Sequence, residues 1–156
     1  MKTLILMRHA EAMNADHGNA DHERRLTPKG ILQATAMADL IHTFQPIELW
    51  VSSAQRTRET AALVLKKNMD TLSGSRLLYN AADYEILHFI QENAQEDTIM
   101  IVAHNPGISQ IHYSLTQQWI DFSPSGMAII KIPIDHWSSL KKGSAFLSTF
   151  IPPKSI

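Results

Sequence analysis

An unbroken, mostly apolar run from Thr3 to Met7 is too short for a helix and predicts a strand buried on both faces, as in a parallel or mixed sheet. A polar stretch rich in Asn, Asp, His and Gly follows from Ala10 to Leu26 and predicts a long loop. Thr27 then offers a hydroxyl cap and Pro28 a preset first helical position; Ile31, Ala34, Ala38, Ile41 and Phe44 recur at helical spacing, and Pro46 stops the helix. "ELWVS", Glu48–Ser52, predicts a second strand, and "SAQRTRETAALVLKK" from Ser53 predicts a helix opened by a serine cap.

The alternation continues. "SRLLYN", Ser75–Asn80, reads as a weak third strand, and Asp83 to Ala94 as a helix with Ile86, Phe89 and Ile90 on one face and Asp83 as its N-cap. Thr98 to Ala103 is the clearest interior strand, and it feeds a helix whose Ile108, Ile111, Leu115 and Trp119 share a stripe. "SGMAIIKIPI" and "SAFLSTFIP" are β-rich runs with no long helix between them, which predicts a terminal, partly antiparallel pair of strands. The expected fold is therefore α/β: a three-layer α/β/α sandwich around a mostly parallel, mixed central sheet. At 156 residues the chain has the size of one domain, taken as residues 1–156, with "PPKSI" as a free tail.

Composition narrows the chemistry. A net charge of -1 supplies no basic excess for nonspecific attachment to nucleic acid or membrane, so any anion site must be a local cluster. The absence of cysteine removes disulfides, thiolate catalysis and thiolate metal sites. No run approaches the roughly 20 apolar residues of a membrane span, and the start of the chain reads as a strand rather than a signal peptide. A soluble, cytoplasmic protein is expected.

In α/β sheets ligands bind beyond the carboxyl ends of the strands. Here Arg8 and His9 end the first strand, Arg56 and Arg58 follow the second, and His104 and Asn105 end the Thr98–Ala103 strand. Cationic donors with two imidazoles in one crevice suit a dianion, and the planar arginine fork suits phosphate oxygens. A histidine among arginines keeps a ring nitrogen unprotonated at neutral pH and can attack a phosphoryl group, with the cations stabilising the equatorial oxygens. No metal and no other cofactor is required for that route.

"LMRHAEA", Leu6–Ala12, resembles the Arg-His-Gly signature of the histidine phosphatase superfamily (phosphoglycerate mutase-like), with Ala10 in place of the usual glycine. "RRLTPKGILQA", "SSAQRTRETA" and "VAHNPG" resemble its next segments in order, and with "FSPSGMAIIKI" the chain looks most like the SixA-type phosphohistidine phosphatases over nearly its whole length. The resemblance implies His9 as nucleophile, Arg8 and Arg56 as phosphate clamps and His104 as a second imidazole on the phosphoryl group. Ala10 should still let the backbone approach phosphate.

Larger members place an acid beyond the second helix to protonate an ester oxygen. In "LLYNAADYEIL" only Asp83 and Glu85 are available, and the acid stays unassigned. Phosphohistidine needs less help, because it can leave as neutral imidazole. The expected activity is a metal-independent phosphatase working through a phosphohistidine enzyme intermediate, with phosphohistidine on a protein partner as substrate. Two alternatives stay open: a small-molecule phosphomonoester phosphatase or mutase using Asp83 or Glu85, and a phosphate-binding module without turnover.

Other residues read more plainly. "NADHGNADH", Asn14–His22, is a hydrophilic loop without fixed geometry rather than a metal site, part of it bordering the pocket. His42, His88, His112 and His136 are surface or packing residues. Glu11 is either an organiser of nearby donors or a solvent-facing carboxylate.

Overall fold

A computed structural model describes residues 1–15, 20–44 and 47–153 of the chain. Asp16 and His17 of the polar loop, Pro46 as the expected helix stop, and residues 154–156 of the tail lie outside the described residues. Five strands form one sheet: β1 (Lys2–Arg8), β2 (Glu48–Val51), β3 (Thr98–Ala103), β4 (Met127–Ile132) and β5 (Leu147–Ile151), in the spatial order β2, β3, β1, β4, β5. β1 and β2 each lie parallel to β3, whereas β4 runs antiparallel to β1 and to β5.

Central β1 explains why its run lacks alternation. Leu4 and Leu6 join one core with Ile99 and Ile101 of β3, beneath α3 (Asp83–Asn93) and α4 (Gly107–Thr116). Ile5 and Met7 join a second core with Met100 and Val102, beneath α1 (Pro28–Ile41) and α2 (Gln55–Leu65). A strand covered on both faces must be apolar at every position. The result is the expected α/β/α sandwich with a mixed sheet.

Helix α1 starts as its sequence indicates, with Thr27 Oγ1 accepting from the Gly30 N–H at 3.0 Å and Pro28 in the first turn. Its buried stripe is Ala34, Met37, Ala38 and Ile41, while Ile31 is 41% exposed. Four other expectations are corrected. "SRLLYN" is no strand: Ser75 makes one bridge to Ser52, its Oγ accepts from the Leu77 N–H, and Arg76–Leu78 coil into a 3-10 turn that buries Leu78. Helix α2 has Ala54 at its N-cap and no side-chain cap, because the hydroxyls of Ser52 and Ser53 are engaged with histidines. Ala82, not Asp83, caps α3. Gln117 takes a left-handed conformation that ends α4, leaving Trp119 outside the stripe and 54% exposed.

The first turn of α1 lies against the loop that leaves β1. Thr27 donates to Glu11 twice, from its N–H to the backbone oxygen at 3.0 Å and from Oγ1 to Oε2 at 2.6 Å, which makes Glu11 an organiser of this junction. Gly30 is required there, since a Cβ would lie 2.1 Å from the Glu11 oxygen. In an open helix Gly→Ala gains about 1 kcal/mol; here Gly30→Ala is expected to lower stability by roughly 1–3 kcal/mol through overpacking. Urea unfolding checks this, and an unchanged or higher midpoint contradicts the close approach.

Candidate active site

Three parallel strands end side by side, and β4 begins at the same edge. Because Arg8 pairs with Ala103 across β1 and β3, the next residues, His9 and His104, emerge as neighbours, with ring centroids 5.4 Å apart. Ser52 extends β2 on β3 through its N–H to Val102, and its Oγ lies 2.7 Å from His104 Nε2. Arg56 enters from the first turn of α2 and is 4% exposed.

Hydrogen bonds fix what each ring can do. His9 Nδ1 lies 2.7 Å from the Ala10 carbonyl, which can only accept, so Nδ1 carries the proton and Nε2 keeps its lone pair. Burial lowers the His9 pKa to about 4, with the charges of Arg56, Arg8 and Arg24 adding to it and the Ala10 bond opposing. His104 falls to about 3, chiefly through burial and then the Arg56 charge. Both rings are neutral at physiological pH. Ser52 Oγ also accepts from the Ala54 N–H at 3.4 Å; when it donates its own proton to His104 Nε2 at 2.7 Å, the His104 proton sits on Nδ1.

The arginines are held by their outer nitrogens. Arg8 Nη1 donates to the Phe122 carbonyl at 2.8 Å; Arg56 donates through Nη1 to the Asp21 backbone oxygen at 2.8 Å and through Nη2 to Asp21 Oδ2 at 3.2 Å. Arg8 Nε, Arg56 Nε and His104 Nδ1 are buried and find no hydrogen-bond partner among the described residues. Buried polar groups in native proteins are normally paired, so the two guanidinium Nε donors with His104 Nδ1 beside them have the chemistry to take an acceptor-rich group. Arg8, Arg24 and Arg56 bring three guanidinium charges against the one carboxylate of Asp21 that pairs with Arg24 and Arg56. The surplus is positive.

A match to the family model for the histidine phosphatase superfamily (branch 1) spans residues 4–77, taking in Arg8, His9 and Arg56. An uncharacterised protein of Mycobacterium leprae (strain TN) is 30% identical over 165 residues, covering 95% of this chain and 100% of that protein. The chain belongs to the histidine phosphatase superfamily. Among solved structures, one described as a SixA phosphohistidine phosphatase from Nakamurella multipartitia superimposes with a TM-score of 0.82 at 27% identity, covering 99% of this chain and 97% of that one. The protein histidine phosphatase SixA complexed with tungstate shares the fold, with a TM-score of 0.75 at 18% identity, over 96% of this chain and 94% of that one. Membership in this superfamily and a SixA-type fold support phosphatase activity.

Within this fold, Arg8, His9, Arg56 and His104 come together, whereas Arg58 and Asn105 do not join them. Arg58 donates to the Leu72 and Met69 carbonyls. Asn105 holds α4, accepting from the Ser109 N–H and donating to the Phe122 carbonyl. Asp83 accepts from Tyr84 and Ser114, and Glu85 from the Ala82 N–H, so both candidate acids are tied up at helix ends. Ala10 does not offer its backbone outward: its N–H donates to Thr60 Oγ1 at 3.0 Å and its carbonyl takes the His9 proton. Thr60 Oγ1 in turn donates to the Arg56 carbonyl, coupling the His9 segment to α2.

Three residues escaped the sequence reading. Asp21 accepts from Arg24, Arg56 and the Tyr79 hydroxyl, and that Tyr79 bond first, then Arg24 and Arg56, hold its carboxyl well below the usual range. Tyr79 packs edge-on against His104 and His22, and His22 Nε2 pairs with Ser53 Oγ at 2.8 Å. The described end of the polar loop, Asp21–Glu23, is thus an ordered 3-10 turn rather than a loop without geometry. His112 is a packing residue, fully buried between Gln118 and Ser148.

Because both site histidines have lowered pKa values, the folded state binds fewer protons than the unfolded chain below pH 6.5. Stability therefore falls as pH drops below 6.5, down to about 4 for His9 and about 3 for His104. Nitrogen-detected imidazole NMR should find His9 as the neutral Nδ1–H tautomer at pH 6. A protonation midpoint near 6.5 for either ring contradicts the burial account.

Proposed function

We propose that this phosphatase works without a metal, through a phosphohistidine intermediate on His9, and that its substrate is phosphohistidine carried by a protein partner. The set of buried, unpartnered donors around a neutral imidazole supports this reading most strongly. His9 Nε2 attacks phosphorus in line; the N–P bond forms as the bond to the leaving group breaks. Arg8, Arg56 and His104 donate to the equatorial oxygens as charge spreads over them. Water then attacks the phosphoenzyme, releasing inorganic phosphate and returning the electron pair to Nε2.

The leaving group follows from the acids. Asp21 is held ionised by Tyr79 and two arginines, and the bond to Asp21, then burial, keep the Tyr79 hydroxyl protonated by raising its pKa. Neither is a proton donor suited to an alkoxide at neutral pH. A phosphorylated imidazole, protonated on its other ring nitrogen, departs as neutral imidazole and needs no such donor. The cytoplasm, where phosphorylated proteins are met, is the compartment we assign.

Three measurements test the proposal. Rapid acid-free quenching should trap a phosphoenzyme that is acid-labile and absent in His9→Ala. Arg56→Ala should reduce kcat/KM by on the order of 10²–10³. A phosphohistidine-bearing protein should be turned over more efficiently than p-nitrophenyl phosphate or sugar phosphates; the reverse ranking, joined to a large loss on esters in Asp83→Asn or Glu85→Gln, favours a small-ester phosphatase instead.

A further inference from the structure

The turn before β4 carries an unusual serine. Ser125 is fully buried, its Oγ finds no hydrogen-bond partner among the described residues, and its backbone sits at φ +67°, in the left-handed region. Each feature is costly. A buried hydroxyl without a partner forfeits its solvation, and a residue with a Cβ is strained at positive φ where glycine is not.

Position gives these costs a meaning. The Ser125 N–H donates to the carbonyls of both Arg8 (3.2 Å) and His9 (3.1 Å), so the turn is fastened to the segment that carries the proposed nucleophile. Arg8 Nη1 and Asn105 Nδ2 both donate to Phe122 at the start of the same turn. Among the described residues, the other buried side-chain polar atoms without a partner are Arg8 Nε, Arg56 Nε and His104 Nδ1. Strain and unmet hydrogen bonding gather where a bound group repays them.

We infer that Ser125 Oγ is a further phosphoryl-contacting group, donating its hydroxyl proton to an oxygen of the group held by Arg8, Arg56 and His104. The inference rests on the proposed phosphate site and adds a neutral donor beside the nucleophile. Such a donor binds phosphate without adding to the charge that keeps His9 unprotonated.

Two substitutions separate contact from scaffolding. Ser125→Ala deletes the hydroxyl and keeps the Cβ; Ser125→Gly deletes the hydroxyl and relieves the backbone strain. Orthovanadate affinity, measured by calorimetry on the full chain, should weaken roughly ten- to hundredfold in both, as expected for a lost hydrogen bond to a charged group, while Ser125→Gly holds or raises Tm. Wild-type affinity in both variants overturns the inference, as does lost affinity that always accompanies a fall in Tm. Arg56→Ala is the control: if it too binds orthovanadate like the wild type, the phosphate site itself is wrong rather than the part given to Ser125.

Discussion

Everything at this site depends on keeping positively charged and polar donors buried at a sheet edge while leaving some of their N–H groups unused. Arg56 is tethered through its outer nitrogens by Asp21 and Arg8 through one of its own by Phe122, so each guanidinium is fixed while its Nε is unpartnered among the described residues. Arg56 already holds its carboxylate partner through the outer nitrogens, which leaves Nε as the donor for the proposed phosphoryl group. Preorganised donors of this kind stabilise developing charge without reorganising during the reaction. The same burial keeps both imidazoles neutral, so one cause supplies the cluster of buried donors and the lone pair of the proposed nucleophile.

The sheet makes this arrangement possible. Parallel pairing of β1 with β3 sets His9 beside His104, and parallel pairing of β2 with β3 delivers Ser52 to the same edge. Antiparallel β4 contributes its beginning rather than its end, which is why the turn at Ser125 can reach the carbonyls of Arg8 and His9. Thr60 then ties the chain after β1 to α2. Secondary structure fixes the positions, and short polar bonds set the final angles.

Much of this was legible in the sequence because it follows from local pattern. The doubly buried β1 and β3, the Thr27–Pro28 helix start and the placing of Arg8, His9 and His104 at strand ends follow from apolar runs and the polar residues that terminate them, whereas the choice of Arg56 over Arg58 came from the resemblance to the family. What escaped was set by tertiary partners. Ser53 looked like a helix cap, yet its hydroxyl pairs with His22; Trp119 had helical spacing, yet Gln117 ended the helix first. Asp21 sat in a polar loop with no periodicity, and its role comes from Arg56 and Tyr79, 35 and 58 residues away. Ser125 gave no signal, since neither a positive φ nor an unmet hydroxyl is written in a serine.

The most direct test is a crystal structure of the protein soaked with tungstate. The account predicts one oxyanion at the shared end of β1, β2 and β3, within hydrogen-bond reach of Arg8 Nε, Arg56 Nε and His104 Nδ1 and facing His9 Nε2. An anion bound elsewhere, or one that leaves those three nitrogens without a partner, would contradict it.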